Sequence, residues 1–253
     1  MRTWVLKRRL AGLGLIGVVV LVLIGAALWK FWPQPNCTDG VKNGEEEDID
    51  CGGTCPRQCL GELPVPPRLL WQRFFRVRPG VYDVGAMIEN RNIKLGTRRL
   101  TYHFALYTQD GILLDKTDGE TYLLPGEKTF IFSPGLVVGE QKPQRVDFSY
   151  EESIVWERME NELPTNIEIV AHDFESTPYP LVRAKLANRA LFEERALEVV
   201  ALLKDDEDNV IAASRTTLEN LGASSRAEVV FTWPSSSFSK TPTVEILYRR
   251  IPR

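Results

Sequence analysis

Residues 82–91, YDVGAMIENR, alternate apolar residues at Tyr82, Val84, Ala86 and Ile88 with polar or small ones before reaching Asn90-Arg91. Successive side chains of an extended strand point to opposite faces, so this period of two describes a strand with one buried face. The habit returns at Tyr102, Phe104 and Leu106. Turn-forming residues punctuate the region at Asn90–Asn92, Gln109–Gly111, Thr117–Gly119 and Pro125–Gly126. Gly, Asn, Asp and Pro supply the backbone angles that turns need. Short strands at this spacing predict an antiparallel sandwich.

The same plan recurs downstream. Ala86-x-Ile88-x-Asn90-Arg91 corresponds to Ala184-x-Leu186-x-Asn188-Arg189, Tyr102-x-Phe104 to Val200-x-Leu202, and Asp110-Gly111-Ile112 to Asp208-Asn209-Val210, all at an offset of 98. After a one-residue slip, Leu124-Pro125-Gly126 aligns with Leu221-Gly222 and Phe130-x-Phe132 with Val229-x-Phe231. The expectation is an all-β chain of two tandem immunoglobulin-like β-sandwiches, residues 69–160 and 161–253, each close to the usual size of about 100 residues. Their seam falls between Ser153 and Pro164, where IVWERME reads as a helix or a final strand. Residues 190–200, ALFEERALEVV, have a helical composition, but the repeat assigns them to loop and strand, like Asn92–Tyr102.

Ahead of the sandwiches, Leu10 to Trp29 form twenty residues without a charge, LAGLGLIGVVVLVLIGAALW. As a helix this spans about 30 Å, the thickness of a bilayer's hydrocarbon core. Arg2, Lys7, Arg8 and Arg9 precede it, and only Lys30 follows before Asp39. That asymmetry predicts a cytoplasmic tail over 1–9, one N-terminal transmembrane helix over 10–32, and an extracellular or periplasmic remainder. Trp4, Trp29, Phe31 and Trp32 suit interfacial anchors. A cleaved signal peptide with Gly25 and Ala27 at the cleavage site is the alternative, but its apolar run would be about 7 to 15 residues. Removing the five basic residues before residue 31 from a net charge of −3 leaves −8 on residues 31–253. A mildly acidic exported chain argues against a nucleic-acid partner.

All four cysteines, Cys37, Cys51, Cys55 and Cys59, lie in the segment 33–60. Even number and clustering in an exported chain predict two disulfides, with three pairings open. Zinc is the alternative, but the gaps include no C-x-x-C knuckle. With only Val41 and Ile49 as large apolar residues between Cys37 and Cys59, the segment has no core of its own. Asp39, Asn43, Glu46, Asp48 and Asp50 supply oxygen atoms dense enough for calcium, although the EF-hand pattern fails at Val41 and a solvated charged face explains the same residues. Otherwise no cofactor is expected. Residues 61–68, GELPVPPR, read as a proline-stiffened linker.

The spacing of Cys37, Asp39, Gly40, Asn43, Gly44, Glu46, Asp48, Asp50, Cys51, Gly52, Gly53, Cys55 and Cys59 resembles a cysteine-rich motif of exported bacterial proteins, often found beside adhesive surface domains. YHFALYTQDG, 102–111, resembles the F-x-L-Y-D signature of small exported sandwich domains through Phe104, Leu106 and Tyr107, with Thr108 in place of Asp. LANRA, ALLKDDEDNVIA and AEVVFTWP look similar to CARDB-type adhesion sandwiches. These resemblances imply an immunoglobulin-like fold used for adhesion or protein contact, with no shared catalytic residues.

The two histidines, His103 on the face opposite Tyr102 and Phe104, and His172 after a strand, stand 69 residues apart. No nucleophile elbow, zinc-protease, phosphate-loop or dinucleotide motif is present. Asp205, Asp206, Glu207 and Asp208 read as a hairpin tip, with calcium as a lesser alternative. Trp71, Phe74 and Phe75 ahead of the first domain, and Trp233 and Phe238 around Ser235–Ser237, form either a contact patch or buried seam residues. The expected function is a membrane-anchored, surface-exposed, non-catalytic adhesion or interaction module with a protein or surface-glycan partner. A scaffold or accessory subunit of an envelope, secretion or pilus-type assembly is the second reading, and an unrecognised enzyme the third.

Overall fold

The computed structural model describes residues 17–18, 20–22, 25, 36–57, 59–61, 63–159, 166–176, 179–234, 238 and 241–252. The expected tail 1–9, most of the expected span 10–32 and the loop Ser235–Ser237 lie outside these residues. Among the described residues, no helix is long and apolar enough to cross a membrane. The chain divides into two compact units, Met1–Cys59 and Leu60–Arg253.

The larger unit is built from antiparallel strands, as the alternation at Tyr82–Ile88 requires. Its first half holds β1 (Arg68–Arg78), β2 (Val81–Glu89), β3 (Leu95–Tyr107), β4 (Leu113–Leu123), β5 (Lys128–Val137), β6 (Arg145–Tyr150) and the two-residue β7 (Glu157–Arg158). The second holds β8 (Ile167–Glu175), β9 (Leu181–Asn188), β10 (Glu194–Lys204), β11 (Val210–Leu221), β12 (Arg226–Thr232) and β13 (Thr243–Arg250). The first half forms the sheets β1-β2-β5 and β4-β3-β6, with β7 on the start of β3. The second repeats that order as β8-β9-β12 and β11-β10-β13. In each half the two sheets face one another across an apolar core. Val84, Ala86 and Ile131 of one sheet meet Tyr102, Phe104, Leu106 and Phe148 of the other; Val182, Ala184 and Phe231 meet Val199, Ala201 and Leu203. Each fully buried Phe or Leu side chain there contributes about 1.5–3 kcal/mol.

The register moves the one-residue slip read from sequence to another place in the chain. Ile131 opposes Ala86 as Val229 opposes Ala184, and Ser133 opposes Val84 as Phe231 opposes Val182. The offset here stays at 98 without a slip, and Phe130 is not the counterpart of Val229. The slip lies instead in β3 and β10. Phe104 opposes Phe148, and Ala201 opposes Ile246, so Phe104 and Ala201 are 97 apart. The following turn agrees. The amides of Thr108 and Gly111 donate to Ile112 and Thr108 as those of Asp205 and Asp208 donate to Asn209 and Asp205. Gly111 and Asp208 take the positive φ, 79° and 63°. A one-residue slip turns every side chain to the other face. Tyr102 and Phe104 therefore enter their core, whereas Val200 and Leu202 point away from theirs. The run Val199–Leu203 is buried on both faces, so its composition carries no parity.

Residues 194–200 are strand, as the repeat required, and IVWERME contains β7. Trp71, Phe74 and Phe75 lie within β1 and not ahead of it; His172 lies inside β8. Thr117–Gly119 is not a turn: β4 runs through it, and a Cβ on Gly119 would sit 2.4 Å from the Tyr102 ring, so this glycine makes room for the tyrosine. Val65 of the proline segment is held by Asn92, whose Oδ1 accepts from the Val65 amide and whose Nδ2 donates to its carbonyl, both at 2.8 Å. The landmark asparagines Asn90 and Asn188, 0% and 1% exposed, share one role. Asn90 Nδ2 donates to Leu95 and Leu124 carbonyls, and Asn188 Nδ2 to those of Phe192, Leu221 and Gly222. Each closes the same loop in its half.

The two halves meet through a third apolar cluster. Phe75, Phe130 and Phe132 of the first half pack on Val200, Leu202, Val210 and Ala213 of the second, with Trp71, Met87 and Leu247 around them. Beside it, Arg249 Nε donates to Glu198 Oε1 at 2.7 Å, Nη1 to the Tyr122 carbonyl and Nη2 to Thr121 Oγ1. Its guanidinium also lies over the Tyr122 ring, 4.0 Å from the centroid. One buried cation thus ties both halves.

Candidate functional site

The cysteine segment is held by Cys37–Cys55 and Cys51–Cys59, so two disulfides exist and the pairing is settled. Around them the acidic residues fold inward. Asp50 accepts from the amides of Asp39 and Gly40, Asp39 from the Val41 amide and from Asn43 Nδ2, and Glu46 from the amides of Asn43 and Asp50. Among the described residues, the Asp48 carboxylate accepts only from the neighbouring Ile49 amide. The structure therefore brings Asp39, Asn43, Glu46 and Asp50 together and leaves Asp48 aside. Their carboxylates accept hydrogen bonds from backbone N–H groups, which fixes the path of the loop. Among the described residues, the one group of three ligand-type side chains with donor atoms within 4.8 Å is Cys37, Glu46 and Cys55. Both sulfurs there are disulfide-bonded, so neither offers a thiolate.

Neither histidine joins such a group. His103 Nδ1 lies 2.7 Å from Asp118 Oδ1 on the exposed face of β3 and β4, and that contact draws the Asp118 carboxyl below its ordinary range. His172 is exposed on β8. The Asp205–Asp208 tip is a hairpin turn. Asp205 accepts from the amides of Glu207 and Asn209, which lower its pKa, and Lys204 pairs with Asp208 and Glu245.

A cleft of about 940 Å³ opens where the halves meet, within the range of small-molecule sites of about 300–1,000 Å³. One wall is a run of β1, Phe75–Arg78, and the other a run of β11, Ile211–Arg215. Both are edge strands: β1 pairs only with β2, and β11 only with β10, among the described residues. Phe132 and Trp233 line it as well. The Trp233 indole donates to the Ala213 carbonyl at 3.1 Å, which ties the floor to β11. Arg76 and Arg78 are exposed on the β1 side; Asp205, Asp206 and Glu207 rim the opposite side. Asp83 also faces the cleft. Burial raises its pKa, and the hydrogen bond from the Gly135 amide partly offsets that. The side chains needed for this cleft are scattered through the chain, and the sequence reading recognised only the hairpin tip and the aromatic residues.

No protein-family model matches the chain. A search of curated proteins likewise yields no match.

Proposed function

We propose that this chain is a membrane-anchored, non-catalytic interaction module. On this reading residues 10–32 hold it in the cell membrane, and the disulfide-bonded segment and two immunoglobulin-like sandwiches stand on the outer side. The observation that carries the reading is the cleft between the halves: its walls are edge strands and charged side chains suited to contact. The disulfides support an oxidising compartment. The seam, which makes one body of two sandwiches, also favours a second form of the same reading, an accessory subunit that holds a fixed spacing within an envelope, secretion or pilus-type assembly.

Labelling intact cells with a membrane-impermeant maleimide, with and without reduction, tests the placement. Label on Cys37, Cys51, Cys55 and Cys59 only after reduction is the expected result. Label only after lysis, with no reductant needed, overturns the exported reading. A photo-crosslinking residue at Arg76 in the full chain tests the contact: a discrete adduct absent from the equivalent probe at His103 is expected, and no adduct in the cells that make the protein counts against an interaction module.

A further inference from the structure

The partner's chemistry follows from the cleft, and this inference rests on the interaction-module reading. Its β1 wall spans four residues and its β11 wall five, about 13–16 Å of extended chain at about 3.3 Å per residue. Four or five residues of an extended polypeptide match that length. The unpaired edge of a strand presents backbone N–H and C=O groups that another chain completes by adding a strand. Phe75–Arg78 have such an edge, because β1 pairs on one side only. On the β11 side the Ala213 carbonyl is already taken by Trp233, so that wall contributes side chains more than backbone. A glycan fits less well. Phe75, Phe132 and Trp233 are 4%, 6% and 7% exposed, so these three rings offer little face on which a sugar could stack.

Charge sets the sequence of the occupant. Neither Arg76 nor Arg78 forms an ion pair among the described residues, while the opposite rim carries the acidic tip. We propose that the cleft accepts an extended segment of a partner protein, added as a strand to β1, with an acidic side chain against Arg76 and Arg78 and a basic one toward Asp205–Glu207.

The test passes a pool of acetylated, amidated heptapeptides, with Val fixed at the centre and other positions randomised, over the immobilised full chain in lipid nanodiscs. Enrichment of peptides that carry both an acidic and a basic residue is expected. The best of them should protect the amides of residues 75–78 from hydrogen exchange, lose at least tenfold in affinity against Arg76→Glu/Arg78→Glu, and lose it again when N-methylated at alternate residues. Circular dichroism of the double variant checks that its fold is intact. No enrichment over the double variant, protection elsewhere, or affinity unchanged by N-methylation each overturns the proposal. A crosslinked partner in cells together with a failed peptide selection would remove this assignment while leaving the interaction module standing.

Discussion

The sheets β1-β2-β5 and β8-β9-β12 hold equivalent positions in the two halves, and their outer faces carry opposite chemistry. On the first, Phe130, Phe132 and Phe75 are buried, and the Phe130 ring occupies the space a Cβ on Gly85 would need, 2.2 Å away. On the second, Glu228 and Val230 occupy the equivalent places, and Arg183 contacts both Glu175 and Glu228. Val230 is 46% exposed against 6% for Phe132. One topology therefore serves two surfaces. What differs is whether a face is covered, and the covered face is where the halves join.

Removing the cation that staples the join should do most to break this contrast. Arg249→Ala leaves Glu198, 9% exposed, with only the longer contact to Arg215 at 3.6 Å among the described residues, and strips Tyr122 and Thr121 of the cation that holds them. The expected loss is about 3–5 kcal/mol, read by urea unfolding with the fluorescence of Trp71 as a probe in the seam. Next comes a matched pair. Phe132→Ala opens a cavity in the seam and should cost about 3–4 kcal/mol, whereas the equivalent Val230→Ala should stay within about 0.5 kcal/mol. Equal losses at the two positions would show that the faces do not differ in energy as they do in burial.

The smallest effect is a pH dependence at the seam. Burial raises the pKa of the Glu127 carboxyl, partly opposed by Arg249 and the Leu124 amide. The folded chain then holds this proton more tightly than the unfolded chain. Its stabilising contribution is complete below the ordinary glutamate range and is lost as pH rises through the raised folded value. Glu127→Gln should flatten the decline of stability over that window, measured by denaturation midpoints at successive pH values. A slope identical to that of the unsubstituted chain would assign the dependence to another group, such as Asp83.

Much of this fold could be read from sequence because its inner faces alternate cleanly. Tyr82–Ile88 of β2 needed only the period of two, and the Asn90/Asn188 landmarks found the repeat. Parity failed at β5 and β10 for a shared reason. FIF (130–132) and VVALL (199–203) are apolar on both faces because both faces are covered, one by the core and one by the other half. Uninterrupted apolar runs in otherwise alternating sheets are themselves the signature of a second buried surface, and in β10 the same run imitated a helix. The Gly119 reading failed because glycine looks alike in a turn and beneath a tyrosine ring. The cysteine segment was legible as a disulfide framework, but its pairing depended on the folded path. The cleft was least legible: its walls come from residues 75–78 and 211–215, joined only by the seam.

The covered face also has a consequence in time. Chains leave the ribosome from the N-terminus at about 5–20 residues per second, so Phe75, Phe130 and Phe132 emerge seconds before Leu202, Val210 and Leu247 exist to shield them. During that interval the first half presents a greasy aromatic plate to whatever surrounds the growing chain. A holdase that shields such plates would bind this nascent protein until its second half arrives, and release it once β10 has docked.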